Sequence, residues 1–131
     1  MDEELREVHQ NLERITEDLE NIILLASNVF NLIEQGVYAY TALDPETLTA
    51  DECRAREPES TILIKGLQEH RKEIENIMKI YELTVGEVNK RNHPTLLHRL
   101  ERDIKWKIGE LLQKVFYKEL LIDCYRIKLE F

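Results

Sequence analysis

Four glycines and three prolines are the only strong helix breakers in 131 residues, too few for a sheet protein that turns about every 8–12 residues. The glycines, at positions 36, 66, 86 and 109, stand apart from one another, which excludes a glycine-rich phosphate-binding loop. The two cysteines, Cys53 and Cys124, are too few for a disulfide framework and form no Cys-x-x-Cys pair. The expectation is a reducing compartment, no zinc or other metal site, and no cofactor. Uncharged runs are short as well. The longest, 21–33, is below the roughly 18–20 apolar residues of a membrane span. The acidic start Met1-Asp2-Glu3-Glu4 has the wrong sign for a signal peptide. A soluble intracellular protein with no membrane partner is expected.

Hydrophobic residues make up 43% of the chain and charged ones 34%, the balance of long amphipathic helices in one domain with a core. The fold class expected is all-α: three to four long helices in a coiled-coil-like bundle with one long acidic loop, forming a single domain over 1–131. Charge is uneven along it. Residues 1–35 hold nine acidic against two basic side chains, 37–61 six against two, and 62–131 eleven against fourteen. An acidic first helix can therefore lie against basic later helices within one bundle, or leave a basic face to an outside partner.

A first helix is expected over 1–35, with a seam at Leu5, Val8, Leu12, Ile15, Leu19, Ile22, Ala26, Val29 and Ile33, in steps of three and four. Such a stripe needs a partner helix. Gly36 is placed as its stop. The stretch 37–61, with Pro45, Pro58 and no sustained apolar period, reads as an acidic loop with room for one short helical turn. A second helix over 62–89, capped near Ser60, carries Leu67, His70, Ile74, Ile77, Tyr81, Thr84 and Val88. Thr84 and Gly86 predict a bend or break between Tyr81 and Val88. Pro94 opens a C-terminal helix over 94–131 with a wide apolar face.

Two long seams and a wide third face offer more apolar surface than three helices normally hide, which implies helical protein partners in a hetero-oligomer or a homodimer. The expected partner-binding residues are Leu5, Val8, Leu12 and Ile15 at the narrow end of the first helix, and Ile122, Tyr125, Leu129 and Phe131 at the C-terminus. Carboxylate pairs such as Glu69/Glu73 read as solvent-side helix pairs rather than acid/base machinery. Trp106 lies between Lys105 and Lys107; it reads as a bundle-edge anchor, although the basic stretch 90–107, from Lys90 to Lys107, is also where nucleic acid would bind.

The segment Arg91-Asn92-His93-Pro94-Thr95-Leu96-Leu97-His98 resembles the Arg-polar-spacer-His motif of HEPN ribonucleases. That resemblance implies a homodimeric, metal-independent ribonuclease of toxin or defence type, with phosphate support and proton transfer falling on Arg91, Asn92 and His98. A second resemblance covers more of the chain: Gly66-Leu67-Gln68 within a long helix, Ile80 to Val88, the turn Arg91-Asn92-His93-Pro94, and a long final helix. This order is similar to the tenth-subunit family of the Mediator middle module, without that family's proline at Tyr81 or its Phe-Pro-Glu, where this chain has Phe116-Tyr117-Lys118-Glu119. It implies a non-catalytic scaffold or adaptor subunit of a multi-protein complex, transcriptional and nuclear, with no catalytic residues; without it, a cytoplasmic setting is expected.

Overall fold

The structure, a computed structural model, describes residues 2–130, with side chains from residue 3 onward. The fold is all-α. Three long rods run up, down and up: α1 (Asp2–Thr41), α3 (Glu57–Lys90), and a third formed by α4 (Pro94–Arg99), a π turn (Leu100–Ile104) and α5 (Lys105–Glu130). Each rod packs on the other two. The buried core is one cluster from Leu12 through Tyr125.

The first helix does not stop at Gly36. It continues through Val37 and Tyr40, both fully buried. Burial of those two side chains at ~1.5–3 kcal/mol each outweighs the ~1 kcal/mol cost of a glycine inside a helix. Gly36 also serves the packing, since a Cβ there would lie 3.1 Å from Leu63 Cδ2 of α3. The acidic loop expected over 37–61 is correspondingly shortened. Between Thr41 and Glu57 the chain forms a 3-10 turn (Pro45–Thr47), begun by the Asp44 carboxylate accepting from the Glu46 N–H, and the short helix α2 (Ala50–Ala55). Thr49 and Glu52 close a reciprocal capping box on α2.

Helix α3 begins at Glu57, earlier than the expected Ser60 cap, with Pro58 in its first turn. Ser60 is buried, and its hydroxyl donates to the Glu57 carbonyl at 2.7 Å. No break follows Tyr81: Thr84 donates to the Ile80 carbonyl at 2.8 Å, and Tyr81, Thr84 and Val88 are all buried, so tertiary packing overrides the weak propensity at 84–86.

The third rod carries a phase problem in its sequence. Leu96, Leu100, Ile104 and Ile108 are buried at three successive steps of four, which on a regular α-helix of 3.6 residues per turn would drift off the core face. The π turn at 100–104 absorbs the surplus. From Ile108 onward the buried positions Leu111, Val115, Lys118, Ile122 and Tyr125 return to ordinary spacing.

Opposite charge on the two ends of the chain is used inside the bundle. Arg99 pairs with Glu20 at 2.8 Å, Lys118 with Glu34 at 3.5 Å, and Arg71 of α3 with Glu119 of α5 at 2.9 Å. At the far end Arg56 donates to the Tyr40 carbonyl and lies over the Tyr40 and Tyr125 rings at 4.8 and 5.7 Å. A cation thus sits at the C-terminal end of α1, whose last turn holds no basic residue of its own.

Candidate functional site

Of the residues expected to bind a partner, three belong to the bundle's own core. Leu12, Ile122 and Tyr125 are buried, and the Tyr125 hydroxyl donates to the Leu43 carbonyl at 2.7 Å. These assignments are corrected. Val8 and Leu129 are half-buried against the core, and Leu5 and Ile15 are exposed; Phe131 lies outside the described residues.

The cause lies in the phase of α1. Its inward seam is Leu12, Thr16, Leu19, Ile23, Ala26 and Phe30, turned by one residue at alternate steps from the all-apolar reading. Thr16 can occupy it because its hydroxyl donates to the Leu12 carbonyl at 2.8 Å, and burying Phe30 in place of Val29 removes more apolar area from water. Ile15, Ile22 and Val29 are left outside, where Leu25 and Leu32 join them at 63% and 68% exposure. This second stripe continues helically to Gly36, which meets α3, so it runs beside the α1–α3 seam. Across that seam Ile62 and Ile80 of α3 are exposed too. Between Asn21 and Leu43 only Glu34 is charged, and one 18-residue window of α1 is apolar enough by composition to cross a membrane. The count of strictly uncharged residues missed that property.

A second surface lies on α5. Trp106, Phe116, Tyr117, Leu120 and Ile127 are all exposed by half or more, in a stripe about 100° wide on the side of the helix away from Ile108, Val115 and Ile122, at 100° per residue. Gly109, Gln113 and Cys124 fill the positions between them. Trp106 is therefore no bundle-edge anchor; at 67% exposure it heads this outer stripe. The wide apolar face expected for the C-terminal helix is in fact two faces, which a helix buried on one side alone does not need.

The turn between α3 and α4 holds the residues of the ribonuclease resemblance. Asn92 adopts a left-handed conformation, φ 52°, as the residue that ends α3. Its neighbour His93 caps α4, its Nδ1 accepting from the Leu96 N–H at 3.2 Å. Arg91 and His98 are exposed, and among the described residues no hydrogen bond or ion pair joins them to each other or to Asn92. The chemistry-bearing contact at this end falls instead on residues the motif did not include: His9 and His93 meet edge to face at 4.6 Å, with Glu13 3.7 Å from His93 Nε2.

Titration is perturbed mainly within the bundle. Burial pushes the Tyr81 phenol up, helped by the carboxylates of Glu101 and Glu82. Burial likewise raises Tyr125, against the opposing charge of Arg56. At Lys118 burial works against the ammonium, but Tyr38 and then Glu34 outweigh it, so its pKa lies above the ordinary lysine range. Of these groups Tyr125 borders a cavity, about 340 Å³, together with Thr41, Leu43, Asp44, Leu121 and Cys124. The pocket at the far end, about 260 Å³, is lined by Tyr40, Cys53, Arg54, Glu57 and Arg126, with the Tyr40 hydroxyl buried and unpartnered. Among the described residues no group of three or more His, Cys, Asp or Glu is arranged to hold a metal ion.

Comparison with known proteins finds no family model, no curated relative and no solved structure that matches the chain.

Proposed function

We propose that the chain is a non-catalytic helical scaffold or adaptor subunit of a multi-protein complex, and that it works by seating a helix of another protein on the α1–α3 seam. The observation that carries this reading is the exposed stripe Ile15, Ile22, Leu25, Val29 and Leu32, beside Ile62 and Ile80 of α3. Exposed apolar area of that extent is uncommon on a monomer and is a usual mark of an interaction surface. A fourth amphipathic helix laid along it would complete a four-helix bundle of ordinary geometry. The Gly66-Leu67-Gln68 helix and the Asn92-Pro94 turn are what support a Mediator-like, transcriptional and nuclear setting for that complex.

The test is the size of the assembly the chain enters in its native cells. Wild-type chain should elute well above twice its own mass, and Leu25→Glu with Leu32→Glu should release it without loss of helix content. Both positions are exposed, so the double variant is expected to fold. A wild-type chain found only as monomer or dimer in those cells would overturn the reading. So would metal-independent RNA cleavage by the purified chain that is lost in His98→Ala.

A further inference from the structure

We infer that the outer face of α5 is a homodimer interface, on which a second copy of this chain packs its own α5 antiparallel about a two-fold axis. The inference rests on the reading of the chain as an assembly subunit and names the occupant of the face that the α1–α3 seam leaves free.

The first observation is the chemistry of the stripe. Trp106, Phe116, Tyr117, Leu120 and Ile127 are exposed on one side of α5, and the residues between them on that side, Gly109, Gln113 and Cys124, are uncharged. In a chain with 34% charged residues, a stripe about 32 Å long and about 100° wide, at 1.5 Å and 100° per residue, carries no charge, with Glu110 and Lys128 along one edge and Lys105 and Asp123 along the other. Both edges carry both signs of charge, so a nucleic-acid partner meets no basic surface there.

The second observation is its symmetry. The midpoint of Trp106 and Ile127 falls between Phe116 and Tyr117. A two-fold axis at that point brings Trp106 level with Ile127 of the second copy and Phe116 level with Tyr117. The same register sets Gly109 level with Cys124, so the smallest residues coincide and the backbones can approach near both ends. On one flank Lys105 comes close to the level of Glu130 of the second copy, twice by symmetry, and both are exposed. A parallel pairing would place each residue against itself and stack Lys105 on Lys105. An isologous contact of this kind closes on itself and does not propagate.

The third is area. With an aromatic side chain offering about 150–250 Å², the exposed fractions of the five large residues amount to roughly 500–650 Å² on each copy. That approaches the ~800 Å² per partner of a standard stable interface, before the flanking residues are counted.

The experiment is light scattering or sedimentation equilibrium on the purified full chain over about a tenfold concentration range, with circular dichroism on the same samples. Wild type should run at about 31 kDa, twice the 15.6 kDa chain. Leu120→Glu and Tyr117→Glu, both at exposed positions, should each weaken association about 100-fold or more at unchanged helix content. Leu25→Glu with Leu32→Glu should leave the dimer intact. A monomeric wild type, or a dimer that survives the α5 substitutions and is broken by those on α1, overturns the inference. A monomeric wild type leaves the α1–α3 seam untouched, whereas a dimer broken by the α1 substitutions would put a second copy of the chain on that seam; the native assembly tests the seam separately. In a chain with Cys53→Ser and Cys124→Ser, the pair Trp106→Cys and Ile127→Cys on separate copies should crosslink to each other. Crosslinking of Trp106→Cys to itself instead would overturn the antiparallel register.

Discussion

His70 of α3 lies stacked against Phe30 of α1, ring centroids 6.3 Å apart, with both imidazole nitrogens buried and without a hydrogen-bond partner. The nearest carboxylate, on exposed Glu73, is 3.7 Å from Nδ1, beyond hydrogen-bond range. A polar ring therefore occupies a position in the α1–α3 seam where an apolar side chain would meet no unsatisfied group.

Replacing it should raise stability. His70→Leu removes two desolvated nitrogens and keeps most of the volume, so a gain of about 1–2 kcal/mol is expected. Chemical denaturation of the two proteins under identical conditions measures it; a loss of stability in the Leu variant would show that the imidazole finds a partner in solution.

Arg56 supports a different junction. It holds the Tyr40 carbonyl at the end of α1 and covers two tyrosine rings that themselves meet at 4.8 Å. Arg56→Ala should cost about 1–2 kcal/mol, and Arg56→Lys should recover only part, because an ammonium lacks the flat guanidinium face. Thermal melts of the three proteins give the order.

The π turn leads to a prediction about chain length. Deleting exposed Glu101 changes the buried spacing from Leu96 to Ile108 into steps of four, three and four, which a regular α-helix accommodates. The deletion should cost less than ~1 kcal/mol, within the range of an ordinary surface change. Deleting exposed Lys114, where no surplus residue exists, rotates Val115, Ile122 and Tyr125 off the core and should cost several kcal/mol, at about 2–5 per displaced large side chain. Helix content and denaturation midpoint of the two deletions compare them directly.

Alkaline pH should unfold the bundle cooperatively. Tyr81 and Tyr125 have raised pKa values through burial, and Lys118 has one raised by Tyr38 and Glu34 against its burial. For all three the folded state holds its proton more tightly than the unfolded one. The stability they contribute is complete below their unfolded pKa values, near 10 for tyrosine and about 10.4 for lysine, and is lost as pH rises through the higher folded values. Denaturation midpoints should fall above about pH 10, together with tyrosinate absorbance. Lys118→Met should reduce the slope; an unchanged slope would count against the Lys118 share.

Helix class, the rods and the end-to-end charge pairing were legible in the residues. So were the surplus of apolar surface and most of the buried positions of α3, because His70, Ile74, Ile77, Tyr81, Thr84 and Val88 follow one period with no competing stripe. The candidate surfaces were legible only as a surplus. On α1 two apolar stripes overlap, one through Ile22 and Val29 and one through Ile23 and Phe30, sharing Leu12, Leu19 and Ala26. Periodicity cannot choose between them, since each is a valid helical face.

That choice belongs to the packing. The cost of a buried Thr16 depends on whether its hydroxyl reaches a carbonyl, and the worth of Phe30 depends on what lies opposite it; both are properties of three helices together. The run of α1 past Gly36 has the same origin, because a glycine stops a helix unless Val37 and Tyr40 find a core and Leu63 needs the space of a missing Cβ. Local sequence sets backbone preferences of about 1 kcal/mol per residue. Burial against another helix contributes about 1.5–3 kcal/mol per large side chain. Where the two agree, as over most of α3, the chain can be read in one dimension. Where they conflict, as in α1 and around Leu100 and Ile104, burial outweighs local preference, and burial exists only in the assembled bundle.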